Sequence, residues 1–156
     1  MKNKKISIII VSLNTRIDFI KTLKSIKKQN YNNYEIIVID GNSTDGTKEE
    51  IIKRKKIISK SIIEKDKGIY HAMNKGIKIS SGKWIIFMNS GDIFYKKNTL
   101  QNFISKNNQY YDVVYSDTLI DANSIQYIVK SKAFDVGTIL MPFCHQSVFV
   151  KSFLLK

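Results

Sequence analysis

Glu35-Ile36-Ile37-Val38-Ile39-Asp40, continued by Gly41-Asn42-Ser43-Thr44-Asp45-Gly46-Thr47, is the stretch on which the fold turns. A nearly unbroken β-branched run reads as a strand covered on both faces, because a strand with one wet face would alternate apolar and polar residues. The run ends on an acid, and a loop of Gly, Asn, Ser and Asp leads into a helix from about Thr47. The same pattern stands upstream. Ile6-Ser7-Ile8-Ile9-Ile10-Val11 is a buried strand closed by Ser12-Leu13-Asn14, and Phe19, Ile20, Leu23 and Ile26 recur at helical spacing over 18–29, with Asp18 as the expected cap. Downstream the pattern predicts a short strand over 61–64, a helix over 69–79, a strand over 84–88, a helix over 98–107, a strand over 112–115 and an exposed strand over 124–132. Pro142 marks a late turn. Parallel neighbours need a long connection, and a helix supplies it. The expected class is therefore α/β, with a mostly parallel central sheet flanked by helices in three α/β/α layers, and a single domain over 1–156.

Composition agrees with one globular domain. In the 156-residue chain 43% of residues are apolar, in short runs, and none approaches the roughly 20 apolar residues that span a bilayer. Lys2, Lys4 and Lys5 imitate the charged start of an export signal. The apolar part that follows is too short and lacks a small-residue cleavage site, so a cytoplasmic protein is expected. Cys144, the one cysteine, excludes an internal disulfide and is expected to be buried. The formal charge of +13 comes from lysine, with Arg16 and Arg54 the two arginines. That charge attracts polyanions such as anionic lipid headgroups, nucleic acid or diphosphates, although scattered lysines also describe an ordinary solvated surface. Scarce arginine disfavours base recognition, and no nucleic-acid partner is expected.

In an open α/β sheet, ligands sit outside the carboxyl ends of the strands. This rule selects Ser12 and Asn14, then Asp40, then Asp66, then Asn89-Ser90-Gly91-Asp92. In the last turn a carboxylate and an amide oxygen suit an octahedral Mg2+ or Mn2+ that keeps water and phosphate oxygens as its other ligands. The same four residues also make a β-turn with only local hydrogen bonds. Asp40 is placed to accept from a base or ribose, or else to stabilise its own loop. Asp66 and Lys67 could reach a hydroxyl and a phosphate, or be plain surface charge. The loop 41–48 is no phosphate-binding P-loop, since Thr47 precedes Lys48 rather than following it, and Asp45 is read as the cap of the next helix. His71 and His145 lack the paired spacing of a zinc site. His145, in His145-Gln146-Ser147, is either a proton acceptor near a substrate hydroxyl or a core histidine. A nucleotidyltransferase would want a glycine-rich basic loop after the first strand, and Ser12-Leu13-Asn14-Thr15-Arg16 is not one.

Taken together, Ser7-Ile8-Ile9-Ile10-Val11-Ser12-Leu13-Asn14, the stretch 35–47, Glu64-Lys65-Asp66-Lys67-Gly68-Ile69-Tyr70 with Ala72-Met73-Asn74-Lys75-Gly76-Ile77, the stretch 82–92 and His145-Gln146-Ser147 resemble the family 2 glycosyltransferases. The likeness is greatest to bacterial enzymes of the exopolysaccharide, capsule and colanic-acid type, and it runs from Ile6 to about Val150. It implies a Rossmann-like GT-A fold and transfer of a sugar from a nucleotide diphosphate donor, UDP-sugar favoured, to a glycan or lipid-linked acceptor. Such transfers usually invert the anomeric centre and use Mn2+ or Mg2+ on the diphosphate. Carried over, Ser12 and Asn14 line the nucleotide pocket, Asp40 holds the base or ribose, Asp66 and Lys67 border the donor, and Asp92 binds the metal. The usual metal motif has two acids, and Asn89 stands where the first would be. His145 is the expected general base, with Asp117 the second candidate. Lipid-linked acceptors and the lysine excess together predict peripheral association with the inner face of an anionic membrane. Relatives usually continue past the His-Gln-Ser segment, so the acceptor-side part is expected to be missing. The alternative expectation is a non-catalytic remnant that binds a nucleotide sugar or a partner.

Overall fold

A computed structural model describes residues 5–106, 110–122, 125–132 and 143–156. Its strands are β1 (Ile6–Ser12), β2 (Tyr34–Asp40), β3 (Lys60–Ile63), β4 (Trp84–Asn89), β5 (Val113–Tyr115), β6 (Thr118–Ala122), β7 (Ile125–Val129) and β8 (Val148–Lys151), and its helices are α1 (Arg16–Lys27), α2 (Thr47–Lys53), α3 (Ile69–Ile79) and α4 (Thr99–Ser105). Six strands form one sheet in the order β3-β2-β1-β4-β8-β5, while β6 and β7 pair as a separate antiparallel hairpin. The β1–β2, β2–β3 and β1–β4 pairs are parallel. The β4–β8 and β8–β5 pairs are antiparallel.

Alternate residues of the central strands enter two cores. Ile6, Ile8 and Ile10 pack with Phe19, Leu23 and Ile26 of α1, Ile51 of α2, and Leu100 and Phe103 of α4. Ile9 and Val11 meet Ala72, Met73 and Ile77 of α3 on the other face. The three expected layers are present, and β1 is dry on both sides. At Gly76 an added Cβ would stand 2.4 Å from Ile9 Cγ2, so only a glycine lets α3 lie this close to β1. Ring contacts hold the antiparallel side together: Phe103 stacks on Phe149 at 3.9 Å and meets Trp84 edge-on at 5.0 Å.

The amino ends of the strands are tied by Glu35, which is buried. Its Oε1 accepts from Ser7 Oγ at 2.6 Å, Ser81 N–H at 2.6 Å and Gly82 N–H at 3.2 Å, and its Oε2 pairs with the Lys5 ammonium at 2.9 Å. Burial works to raise the carboxyl pKa, but the hydrogen bonds from Ser7, Ser81 and Lys5 outweigh it and bring the value down to about 2.

Several expectations need correction. Asp18 does not cap α1, which begins two residues earlier; it lies in the first turn and pairs with Lys21. Cys144 is half-buried, in an extended link before a 3₁₀ turn at His145–Ser147. The mostly parallel sheet stands as expected, with β8 as the antiparallel strand between β4 and β5. The helix expected over 98–107 is observed as Thr99–Ser105, and the strand expected over 124–132 as Ile125–Val129. Asn107, Ser124 and Pro142 lie outside the described residues.

Candidate functional site at the carboxyl rim

The chain runs outward from β1 to β2 and β3, then α3 brings it back across the sheet to place β4 on the other side of β1. Such a reversal leaves a crevice at the carboxyl ends of β1 and β4, where open α/β sheets bind their ligands. The register puts Ser12 beside Asp40 and Val11 beside Asn89. Adjacent strands lie about 5 Å apart, so Asp40, Ser12 and Asn89 share one rim.

On the α1 side of that rim the two loops are tied to each other. Asp40 is fully buried; its Oδ1 accepts from Ser43 N–H at 2.8 Å and its Oδ2 from Ser43 Oγ at 2.6 Å. Ser43 Oγ in turn accepts the Asn14 N–H at 2.8 Å, and Asn14 Oδ1 accepts the Thr44 N–H at 2.8 Å. Both Asn14 and Asn42 have positive φ, of 52° and 71°, which asparagine tolerates because its side chain bonds locally. The expected contact of Asp40 with a base or ribose is not what this geometry offers: with both oxygens engaged and no exposure, Asp40 shapes the loop that carries Asn14. Ser12 is also buried, its hydroxyl 3.1 Å from that of Thr15.

Asp45 stands one residue before Gly46, the N-cap of α2, and ties two helix starts together. Its Oδ1 accepts from Thr47 N–H and Oγ, while Oδ2 takes the Arg16 N–H at 2.8 Å, so one carboxylate serves the starts of both α1 and α2. The Thr47 hydroxyl and the Arg16 N–H lower its pKa. Asn14, Thr15, Arg16, Ile17, Asp18 and Asp45 line a shallow hollow of about 370 Å³ at this corner. Its far wall, Asp18, lies against Gly91, at 3.7 Å from the place a Cβ would take. The hollow therefore joins the loop at Asn14 to the turn after β4. The sequence marked none of Thr15, Arg16 and Asp18 for the site: Thr15 and Arg16 read as part of the loop after the first strand and Asp18 as a helix cap.

The turn after β4 is built around Asp92. Asp92 Oδ2 accepts the Asn89 N–H at 2.7 Å, the Asp92 N–H returns to Asn89 O at 3.0 Å, and Gly91 takes φ +109° between them. Two hydroxyls of α1 lock the turn, Thr22 Oγ accepting the Gly91 N–H at 2.9 Å and Ser25 Oγ the Phe94 N–H at 2.7 Å. Burial raises the Asp92 pKa, opposed by the Asn89 N–H and by the charge of His145. His145 is thus brought into electrostatic reach of Asp92, on an exposed turn packed against β4. Asn89 Oδ1 is buried and has no hydrogen-bond partner among the described residues.

Asp66 lies on the α3 side of the rim, its Oδ2 3.7 Å from the place a Cβ would take on Gly41, and Lys67 is exposed. Asp117 lies just past β5, next to Ser116, whose carbonyl accepts from Ser147 Oγ at 2.8 Å. Ser131 N–H and Oγ and the Lys130 ammonium hold its carboxylate at 2.9–3.0 Å. The Ser131 N–H, then Lys130 and the Ser131 hydroxyl, bring its pKa down to about 2. Its carboxylate is thus engaged by the segment that follows β7.

Residues 7–150 match the family model described as Glycosyl transferase family 2. A PGL/p-HBAD biosynthesis glycosyltransferase of Mycobacterium tuberculosis is 31% identical over an alignment of 153 residues that covers 93% of this chain and 58% of that relative. Among solved structures, S. aureus TarS in complex with UDP-GlcNAc superposes with a TM-score of 0.77 at 20% identity, covering 97% of this chain and 46% of TarS. The mannosyltransferase PcManGT of Pyrobaculum calidifontis, in complex with GDP-Man and Mn2+, gives 0.65 at 19% identity, covering 74% and 36%. The fold is shared with both. The chain spans a little over half the length of the mycobacterial relative.

Proposed function

Since the chain belongs to glycosyl transferase family 2, we propose that its carboxyl rim binds a nucleotide diphosphate sugar and that the protein transfers the sugar, with inversion, to a glycan or lipid-linked acceptor. The observation that carries this reading is Asn89 Oδ1, a buried oxygen without a hydrogen-bond partner among the described residues, in the turn that Asp92 closes. An acceptor left unpaired out of water is costly unless a ligand uses it. Amide and carboxylate oxygens are hard donors, so Asn89 and Asp92 fit Mn2+ or Mg2+, with water and phosphate oxygens completing the shell. When bound, such an ion supplies positive charge to the departing diphosphate.

Ser12 and Asn14 border the nucleotide, braced from beneath by Asp40, while Asp66 and Lys67 face the donor from the α3 side. A UDP-sugar is the favoured donor, in keeping with UDP-GlcNAc in TarS, and the Mn2+ of PcManGT is in keeping with the cation. An inverting transfer needs one base within hydrogen-bond reach of the acceptor hydroxyl, and exposed His145 beside Asp92 takes that proton. The lysine-rich surface favours peripheral contact with the cytoplasmic face of an anionic membrane. Pelleting with acidic vesicles at low salt and release at high salt is expected, and no pelleting at low salt would count against it.

The test is nucleotide release from a panel of UDP-, GDP- and dTDP-sugars with Mn2+. One donor is expected to turn over, and Asp92→Ala to slow it about 100-fold or more, the scale of losing a charge-stabilising group. Unchanged turnover in Asp92→Ala would remove the metal assignment. Calorimetric binding with no release from any donor would favour a binding domain without turnover.

A further inference from the structure

Lys75 has its ammonium out of water. The side chain is 13% exposed, with Nζ 2.5 Å from Asp66 Oδ1 and 2.7 Å from Glu64 Oε1. Stability alone does not call for such a group, since a well-packed apolar side chain in place of a buried ion pair is often as stable or more so. The surroundings show what it holds. His71 and Lys75 stand one turn apart on α3 and both converge on Asp66 Oδ1, His71 Nδ1 at 3.2 Å. Close packing at Gly76 fixes α3 on β1, and the Glu64 N–H is hooked to Asp40 O at 3.0 Å, which fixes the end of β3 to β2. With Oδ1 held by Lys75, Oδ2 is the oxygen of Asp66 that lies toward Gly41, 3.7 Å from the place a Cβ would take there and beside the Leu13 side chain. The hydrogen bonds to Asp66 and then Glu64 raise the Lys75 pKa, so the ammonium stays charged.

We infer that Lys75 is a positioning residue for donor binding: by holding Oδ1 it aims Oδ2 of Asp66 toward Gly41, where that oxygen accepts a hydrogen bond from a ribose or sugar hydroxyl of the nucleotide sugar. The inference rests on the donor site proposed above. An ionised carboxylate only accepts, so the arrangement selects a ligand hydroxyl and rejects a phosphate oxygen at this position.

The experiment is calorimetry with Mn2+ and UDP-glucose, UDP-N-acetylglucosamine and GDP-mannose, carried on with whichever binds most tightly. The proteins are the unaltered chain, Lys75→Met, Lys75→Arg, Asp66→Asn and the double variant Lys75→Met/Asp66→Asn. Lys75→Met is expected to weaken binding about tenfold or more, the scale of a charge-assisted hydrogen bond. Lys75→Arg, which keeps the charge, should restore most of the affinity. The double variant should bind no more weakly than Asp66→Asn alone, because a residue that acts through Asp66 has nothing to add once the carboxylate is gone. Losses that add in the double variant, or Lys75→Met binding as tightly as the unaltered chain, would overturn the role of Lys75 and leave the donor site standing. No binding of any donor by the unaltered chain would overturn both. Thermal melts run alongside, and if Lys75→Met fails to fold, Lys75→Gln takes its place in the cycle.

Discussion

Glu35 is a buried carboxylate and Asp92 a half-buried one, and their surroundings push them in opposite directions. Glu35 gathers donors from Ser7, Ser81, Gly82 and Lys5, and its pKa falls from 4.5 to about 2. A carboxylate whose folded pKa lies below its unfolded value contributes stability at pH above the unfolded value, and loses it as pH falls through the folded one. Urea unfolding should therefore show stability declining from about pH 4.5 towards pH 2, and Glu35→Gln should flatten that decline. The variant should also be less stable at neutral pH by about 2 kcal/mol, since an amide turns a donor towards Lys5 where an acceptor is needed. An unchanged pH profile would contradict the assignment. Asp92 runs the other way: burial raises its pKa, so its ionised form weighs against folding, as a residue kept for binding rather than for stability would. Its position was legible in the sequence, because Gly91-Asp92 directly follows a buried strand. The closure of Asp40 was not, since it is made through Ser43, whose hydroxyl both donates to Asp40 and accepts the Asn14 N–H from a loop far away in the chain.

At the scale of elements, the parallel half of the sheet could be read from residue pattern alone. Continuous β-branched runs at β1 and β2 admit helices on both faces, and α3 falls where its apolar spacing predicts. The antiparallel half was harder to see. Strand β8 has four residues, and its place between β4 and β5 is decided by the packing of Phe149 on Phe103 and the Lys151–Asp112 ion pair, contacts far apart in the chain. Strand β6 is short and exposed, with no apolar run to announce it. The α3–β1 contact supports a sharper prediction. Alanine in place of a helical glycine gains roughly 1 kcal/mol from propensity. At Gly76, however, the new Cβ would stand 2.4 Å from Ile9 Cγ2, and overpacking of that kind costs about 1–3 kcal/mol. Gly76→Ala should thus lower the unfolding free energy by up to about 2 kcal/mol in denaturant titration. A stabilised variant would show that α3 has room to move.

Across the whole molecule, the reversal of strand order at β1 brings residues far apart in sequence to one rim, and this is why separate loop motifs can act as one site. The α1 side is closed by its own hydrogen bonds, from Asp40 through Ser43 to Asn14. On the α3 side Asp66 Oδ2 lies toward Gly41, and in the β4 turn Asn89 Oδ1 has no hydrogen-bond partner among the described residues. No helix among the described residues is long and apolar enough to cross a membrane. The central claim is that this rim binds a nucleotide diphosphate sugar with a divalent cation held at Asn89 and Asp92. It is tested most directly by the thermal shift produced by nucleotide sugars with and without Mn2+, in the unaltered chain and in Asp92→Asn, because ligand-linked stabilisation needs no acceptor. The account predicts a rise in Tm with one donor that is larger when Mn2+ is present, and loss of the Mn2+-dependent part in Asp92→Asn. No donor raising Tm, or an equal Mn2+-dependent rise in both proteins, would contradict it.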